Sequence, residues 1–293
     1  MRIALLGARG FIGKELVQQA SREHEVVAPS RPEVDVERPE TLVRALKEAR
    51  PDVVVNLAAR IGTILQSVSV REMFATNTIG SLNVAYAAHE AGAKAYVFTS
   101  STVVHGENEV GHHHGRFSSF APKHPYSASK AAAEFALQKF AKEQSTMSVI
   151  VLRPPMVIGA GTPVPLPPIE FTRTVAVGKD IEIFGEGLHE REFVSVRDTA
   201  EGILQSARFG MKAGAGYHPF FLTGNRVSMR ALAERVVHKF GGQIRYVPKT
   251  VQTFSLTTDP SDSERELGWR VRDDLDAILD DVWRFVSLER RAL

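Results

Sequence analysis

The first half of the chain alternates short apolar runs with longer segments of helical period. The runs cover residues 3–6, 25–28, 53–56, 95–99 and 149–152, and helical candidates fall between them at about 11–21, 38–49, 70–91 and 126–144. Unalternated runs of β-branched and aliphatic residues read as strands buried on both faces. Strand–helix alternation at this spacing predicts right-handed βαβ units and a doubly wound parallel sheet, an α/β fold.

The texture changes after Arg153, where Pro154, Pro155, Pro163, Pro165, Pro167 and Pro168 crowd together. So many prolines are incompatible with a helix interior or a central strand, which predicts an irregular segment leaving the sheet. Beyond it, 192–196 reads as a strand and 198–208 as a helix. Residues 228–240 and 274–288 read as amphipathic helices, the last presenting Leu275, Ile278, Leu279, Val282, Trp283 and Val286 on one face. The expected division is a first domain over 1–154, with 192–215 returning to it, and a smaller α/β C-terminal domain over 155–191 and 216–293. No internal repeat, low-complexity tract or long linker interrupts it.

Composition narrows the chemistry. The 293 residues are ample for a buried core. With 36 Lys+Arg against 34 Asp+Glu the charge is nearly balanced, which argues against a nucleic-acid-binding surface; 25 of the 36 are Arg, able to gather around an anionic ligand. The absence of cysteine removes disulfides, thiolate nucleophiles, Fe–S clusters and Cys-ligated zinc together. No apolar run approaches the ~18–20 residues that span a bilayer, and the N-terminus lacks a cleavable signal, so no membrane partner and a cytoplasmic location are expected.

The segment Gly7-Ala8-Arg9-Gly10-Phe11-Ile12-Gly13 follows the first predicted strand and opens the first helix. Its spacing is one residue wider at the start than G-x-G-x-x-G, with the same logic. Gly7 permits the turn, Gly10 lets backbone approach a pyrophosphate, and Gly13 seats helix on strand. The helix N-terminus then holds phosphate, so a Rossmann-type dinucleotide site is predicted. A carboxylate ending the second strand accepts from the adenosine ribose hydroxyls in NAD sites. Here the strand runs Val26-Val27-Ala28-Pro29-Ser30-Arg31. Ser30 and Arg31, with Arg9, suit a 2′-phosphate, which favours NADP(H) and leaves NAD(H) as the alternative.

Tyr126 and Lys130 lie four apart on a predicted helix and share a face. A nearby ammonium is expected to bring the phenol pKa down toward working pH, as a general acid or base at a carbonyl requires. The pair follows a strand ending in Thr99-Ser100-Ser101-Thr102, at the sheet edge where α/β proteins bind ligands.

These motifs, in order, resemble the extended short-chain dehydrogenase/reductases, the family of nucleotide-sugar epimerases, dehydratases and reductases. The likeness runs through GARGFIG, Asp35-Val36, Asn56-Leu57-Ala58-Ala59, Asn77, FTSSTVVHG at 98–106, PYSASKAAAE at 125–134, LRPPMVIG at 152–159, GEGLHEREFVSVRD at 185–198 and LGW at 267–269. The resemblance implies that Ser101 (ahead of Ser100 or Thr102), Tyr126 and Lys130 are catalytic. It places Gly7, Arg9, Gly10, Phe11, Ile12, Gly13, Ser30, Arg31, Asp35, Val36, Leu57, Ala58, Ala59, Thr99, Pro154 and Val157 along the cofactor, beside Tyr126 and Lys130. Asn77 joins that set, read as a side chain tying helix to strand rather than as a proton relay. Thr102, Met156 and Arg191 would meet the substrate, Arg191 at a phosphate. The helices at 70–91 and 126–144 would pair two copies as a homodimer.

Within the family the first hundred residues look most like GDP-fucose synthase and other keto-sugar reductases. Those enzymes also epimerise, with an added Cys and His, whereas this chain has Val103 at the Cys position and no His across 154–172. The leading expectation is therefore NADP(H)-dependent reduction of a keto group on a nucleotide-linked deoxysugar. A nucleotide-sugar 4-epimerase is the alternative within the family, and a non-catalytic dinucleotide-sensing scaffold the alternative outside it. Met156-Val157-Ile158-Gly159 replaces the family's Asn-Val-Tyr-Gly, and His105 replaces its Tyr. His112, His113 and His114 are consecutive and cannot all face one ion, so no metal site is expected and they read as a loop near the substrate mouth.

Overall fold

The computed structural model describes residues 1–30, 33–61, 68–109, 111–144, 146–248 and 254–291. Its first half realises the alternation read from the sequence. β1 (Arg2–Leu6) leads to α1 (Phe11–Ala20), β2 (Glu25–Val27), α2 (Pro39–Ala49) and β3 (Val53–Asn56). The predicted helix at 70–91 is a composite: α3 (Val70–Phe74), a π-type turn over Ala75–Gly80, then α4 (Ser81–Glu90). β4 (Ala95–Thr99), α5 (Pro125–Glu143) and β5 (Ser148–Arg153) complete this half. Proline marks helix starts where its missing N–H costs nothing: Pro39 opens α2 and Pro125 opens α5.

The proline-rich segment leaves the sheet as expected, yet it contains β6 (Met156–Ile158), and Pro167 opens α6 (Pro167–Ala176). There follow β7 (Ile181–Phe184), β8 (Glu190–Ser195) and α7 (Val196–Gly210), whose first turn is capped by Ser195 Oγ accepting from the Asp198 amide. β9 (Gly216–Phe221), β10 (Asn225–Ser228), α8 (Met229–Phe240), β11 (Ile244–Val247) and α9 (Leu275–Arg291) end the chain.

The large sheet has the order β2-β1-β3-β4-β5-β9 and every pairing is parallel. β3, β4 and β5 are buried at every residue, as strands covered on both faces must be. One face packs on α2, α4 and α5 through Leu42, Leu46, Val84, Leu137 and Phe140; the other packs on α1 and α7 through Leu16, Ile203, Leu204 and Ala207. The boundary expected at residue 216 falls at the start of a strand of the large sheet, since β9 pairs with β5 along its length.

A smaller unit comprises the sheet β10-β8-β6, the pair β11-β7 and helices α6, α8 and α9. The predicted apolar face of α9 supplies its core: Leu275, Ile278, Leu279, Val282 and Val286 are buried, and Trp283 stacks on Phe240 at 4.4 Å. Among the described residues no helix is long and apolar enough to cross a membrane.

Candidate active site

The chain order reverses between β1 and β3, and the carboxyl ends of β1, β3, β4 and β5 open there onto one cleft of about 720 Å³. Most residues singled out from sequence line it: Gly7, Gly10, Phe11, Ile12, Gly13, Leu57, Ala59, Thr99, Ser101, Thr102, Tyr126, Lys130, Pro154, Met156, Val157 and Arg191. Arg9, Ser30, Val36 and Ala58 line a hollow of about 260 Å³ that shares Gly7 with the cleft. Asp35 and Asn77 line neither cavity. Arg31 lies outside the described residues.

The glycine loop is built for close approach. Gly7 adopts φ +85°, and a Cβ on Gly13 would stand 2.2 Å from the Gly7 carbonyl oxygen. Gly10 is the N-cap of α1 and no side chain caps that end, so the first-turn amides remain available to an anion. Thr99 Oγ1, at the other side of the cleft, is buried and unpartnered among the described residues. A buried hydroxyl without a partner is costly unless a ligand atom completes it. Together these features fit a nicotinamide dinucleotide lying from the glycine loop to the end of β4.

Asn77 sits in the π-type turn, fully buried. Its Oδ1 accepts from the Arg60 amide at 2.8 Å, and its Nδ2 donates to the Arg60 carbonyl and to Ser129 Oγ. It therefore ties the loop after β3 to α5 and has no contact with the cleft. Asp35 turns toward α2, with its amide donating to Thr41 Oγ1 and Oδ1 accepting from the Glu37 amide.

α5 brings Tyr126 and Lys130 to the cleft on one face. At Tyr126 burial outweighs the lowering expected from Lys130. Burial pushes the phenol up to about 12. The Lys130 ammonium donates to the Thr99 carbonyl at 2.7 Å, lies 4.6 Å from the Phe98 ring centroid, and is itself pushed down to about 7 by burial, with Glu134 opposing that shift. Tyr126 is thus a protonated phenol at neutral pH, with its hydroxyl free of hydrogen bonds among the described residues. Ser101 Oγ, the third member, accepts from the Val103 amide at 3.4 Å and faces the cleft. Ser100 does not compete for that role, because it donates to Glu134.

A lysine held near 7 in the fold and at its ordinary 10.5 when unfolded opposes folding most below pH 7, and the opposition fades as pH rises toward 10.5. Lys130→Met is expected to be more stable than the parent at pH 6, with a clearly smaller gap at pH 9. Urea melts at the two pH values measure it, and a gap independent of pH counts against a buried ammonium.

Sequence reasoning passed over Glu134, one turn beyond Lys130. It is fully buried and accepts from Ser100 Oγ, Arg153 Nε and Nη2, and Tyr217 Oη at 2.9 Å. The i, i+4, i+8 spacing of Tyr126, Lys130 and Glu134 was the available signal. At the far end of the cleft Arg191 is buried, donates to the Glu190 carbonyl and lies 4.0 Å from the Phe254 ring centroid; burial lowers its pKa to about 10. The consecutive histidines separate: His112 pairs with Glu109, His113 meets Thr257 and Arg226, and His114 stacks on His105. No group of three or more metal-ligating side chains occurs among the described residues.

Comparison with known proteins agrees with this geometry. The sequence model of the NAD dependent epimerase/dehydratase family matches residues 3–216, from β1 to the start of β9. The chain belongs to that family. Within it, the chain is 30% identical over 238 residues to a UDP-glucose 4-epimerase of Neisseria gonorrhoeae, covering 73% of this chain and 69% of that one. It is 29% identical over 277 residues to a UDP-glucose 4-epimerase of Neisseria meningitidis serogroup B, covering 86% and 80%. Solved structures of similar fold include a UDP-glucose-4-epimerase from Stenotrophomonas maltophila with bound NAD and formylated UDP-arabinopyranose (TM-score 0.86, 22% identity, all of both chains). Another is the dTDP-glucose 4,6-dehydratase DesIV from Streptomyces venezuelae (TM-score 0.78, 23% identity, 99% and 97% covered). This family member is therefore an extended short-chain dehydrogenase/reductase with the Rossmann-type sheet of its relatives.

Proposed function

We propose that the chain epimerises a nucleotide sugar at one carbinol carbon, the 4-position by likeness to its relatives, with a nicotinamide dinucleotide retained throughout. The observation that carries the reading is one continuous cleft. It runs from the glycine loop, past Ser101, Tyr126 and Lys130, to Arg191. When bound, the dinucleotide supplies a reversible two-electron acceptor beside the sugar carbon.

The side chains handle the proton and the oxygen. Ser101 Oγ holds the substrate oxygen, and Tyr126 exchanges a proton with it. Donation to a carbonyl oxygen suits the protonated phenol directly, whereas proton removal from a hydroxyl needs the phenolate that a charged Lys130 favours. Arg191 pairs with the substrate diphosphate. Apart from Tyr126 and Lys130, the titratable residues that line the cleft among the described residues are Lys14, Glu15, Arg191 and Glu192, and the Glu192 carboxylate is held by Thr258 and Arg226. With Val103 at the position of the extra acid, the side chains support redox chemistry at a single carbon rather than elimination or epimerisation at several.

A specific feature favours a second reading, NADP(H)-dependent reduction of a keto sugar. Among the described residues no carboxylate lines the adenosine-side hollow, where Arg9 and Ser30 stand, and that chemistry suits a 2′-phosphate. Similarity at 30% and 29% identity to UDP-glucose 4-epimerases favours epimerisation over it. The deciding experiment denatures the purified protein, identifies any released dinucleotide by mass spectrometry, and incubates native protein with UDP-glucose. Released NAD(P) with formation of UDP-galactose and no net cofactor turnover is expected. Stoichiometric NADPH consumption by a 4-keto nucleotide sugar, with nothing released, replaces it with the reductase reading.

We also propose a homodimer through α3, α4 and α5. Val70, Tyr86 and Phe135 on those helices, and Ile79 in the π-type turn between α3 and α4, are large apolar side chains left exposed, Phe135 at 57%. Sedimentation velocity is expected to show a dimer that Phe135→Asp converts to monomer; a monomeric parent chain refutes it.

A further inference from the structure

The loop after β4 carries Ser101 at its start and the three histidines further on, and nothing in the proposed chemistry uses its second half. That half is docked on a short segment, Phe254 to Thr258, which in turn runs along β8. On the β8 side, the Leu256 amide donates to the Glu190 carbonyl at 3.2 Å and the Glu190 amide to Ser255 Oγ at 3.1 Å. The Thr258 amide and hydroxyl both donate to the buried Glu192 carboxylate, at 2.9 and 2.7 Å. The Phe254 ring covers the Arg191 guanidinium. Arg191 is thus positioned by this segment and by one backbone carbonyl, with the Glu107 carboxylate also acting on its charge.

On the loop side Asn108 is the centre. Its amide donates to the Ser255 carbonyl at 3.0 Å, and its Oδ1 accepts from the Thr257 amide at 3.2 Å. Its Nδ2 donates to the Thr257 carbonyl and hydroxyl, at 3.1 and 3.0 Å, and to the His112 carbonyl. Every polar atom of the Asn108 side chain is engaged, and Thr257 is buried beneath it.

The neighbouring His113 bridges Thr257 and Arg226. The Thr257 hydroxyl donates its one proton to the His112 carbonyl, so it accepts from His113 Nδ1–H at 2.7 Å. Arg226 has only donors, so His113 Nε2 accepts from Nη1 at 3.0 Å. This bridge ties the loop to Thr257 and, through Arg226, to β10.

We propose that Asn108, supported by His113, is a positioning residue for Arg191. It braces the Phe254-to-Thr258 segment from the side of the dinucleotide-binding domain and so sets affinity for the substrate diphosphate. The inference rests on the reading that Arg191 meets that diphosphate, and the test separates the two.

Uridine diphosphate is titrated calorimetrically into the parent chain and into the Asn108→Ala, Thr257→Val, Thr257→Ser, His113→Asn and Arg191→Ala variants, with dinucleotide affinity measured alongside. Asn108→Ala and Thr257→Val are expected to weaken UDP on the order of 5–20-fold, as loss of one or two buried hydrogen bonds allows. Thr257→Ser keeps the hydroxyl and stays near the parent. His113→Asn, an exposed site whose amide still reaches Thr257, weakens UDP less than Asn108→Ala. Dinucleotide affinity is unchanged throughout. UDP affinity retained in Asn108→Ala and Thr257→Val but lost in Arg191→Ala overturns the inference alone, as does parallel loss of dinucleotide. A parent chain that ignores UDP, or an Arg191→Ala variant that binds it fully, overturns the diphosphate reading and the inference with it.

Discussion

Tyr126→Phe is expected to lower turnover by about 10²–10⁴-fold, the range for removing a positioned proton-transfer group, with dinucleotide affinity nearly unchanged. The ring stays and only the hydroxyl goes. That hydroxyl has no hydrogen bond to lose among the described residues, so the substitution leaves no new unpaired group, and a fall in activity reports chemistry rather than damage. Burial holds the phenol protonated up to about 12. Reduction of a keto substrate is therefore expected to lose activity in Tyr126→Phe across the neutral range, without a pH at which the variant recovers. Full in vitro turnover in the variant, measured with the same nucleotide sugar, removes Tyr126 from the proton-transfer role.

The second large effect is on stability. Glu134 and Arg153 form an ion pair 2.7 Å long, with side chains 0% and 3% exposed. Breaking such a pair from one side leaves a buried charge uncompensated, a loss of about 3–5 kcal/mol. Glu134→Ala is expected to fall in that range by urea denaturation, because it strands Arg153 and also removes the acceptor of Ser100 and Tyr217. The double variant Glu134→Gln/Arg153→Met removes both charges and is expected to recover more than half of the loss. If the double variant is as unstable as the single, the cost lies in packing and not in the stranded guanidinium. Since Ser100 precedes Ser101 and Lys130 lies one turn before Glu134, turnover of the folded fraction should also fall.

The contrast between these two residues shows where sequence reading succeeds. Tyr126, Lys130 and the three glycines were legible because their spacing is local: four residues along a helix, or three and three across a strand–helix turn. The periods of the large sheet were legible for the same reason, since burial on both faces forces unalternated apolar runs. The second half was harder. β7, β10 and β11 are four-residue strands with exposed positions in each, so no run announces them. Pro167, expected to interrupt structure, opens α6, because a first helical turn has no use for the missing N–H.

Sequence alone also determined the absence of thiol chemistry, the near balance of charge and the order of the family's motifs. Only the tertiary structure decided the electrostatics. Whether Lys130 lowers the Tyr126 pKa depends on burial and on where the ammonium points, and it points at the Thr99 carbonyl. The roles of Glu134, Asn108 and His113 were equally hidden, because their partners Arg153, Thr257 and Arg226 lie from 19 to about 150 residues away in the chain. A hydrogen bond between distant segments leaves no period in a sequence, and only the folded chain brings its two ends together.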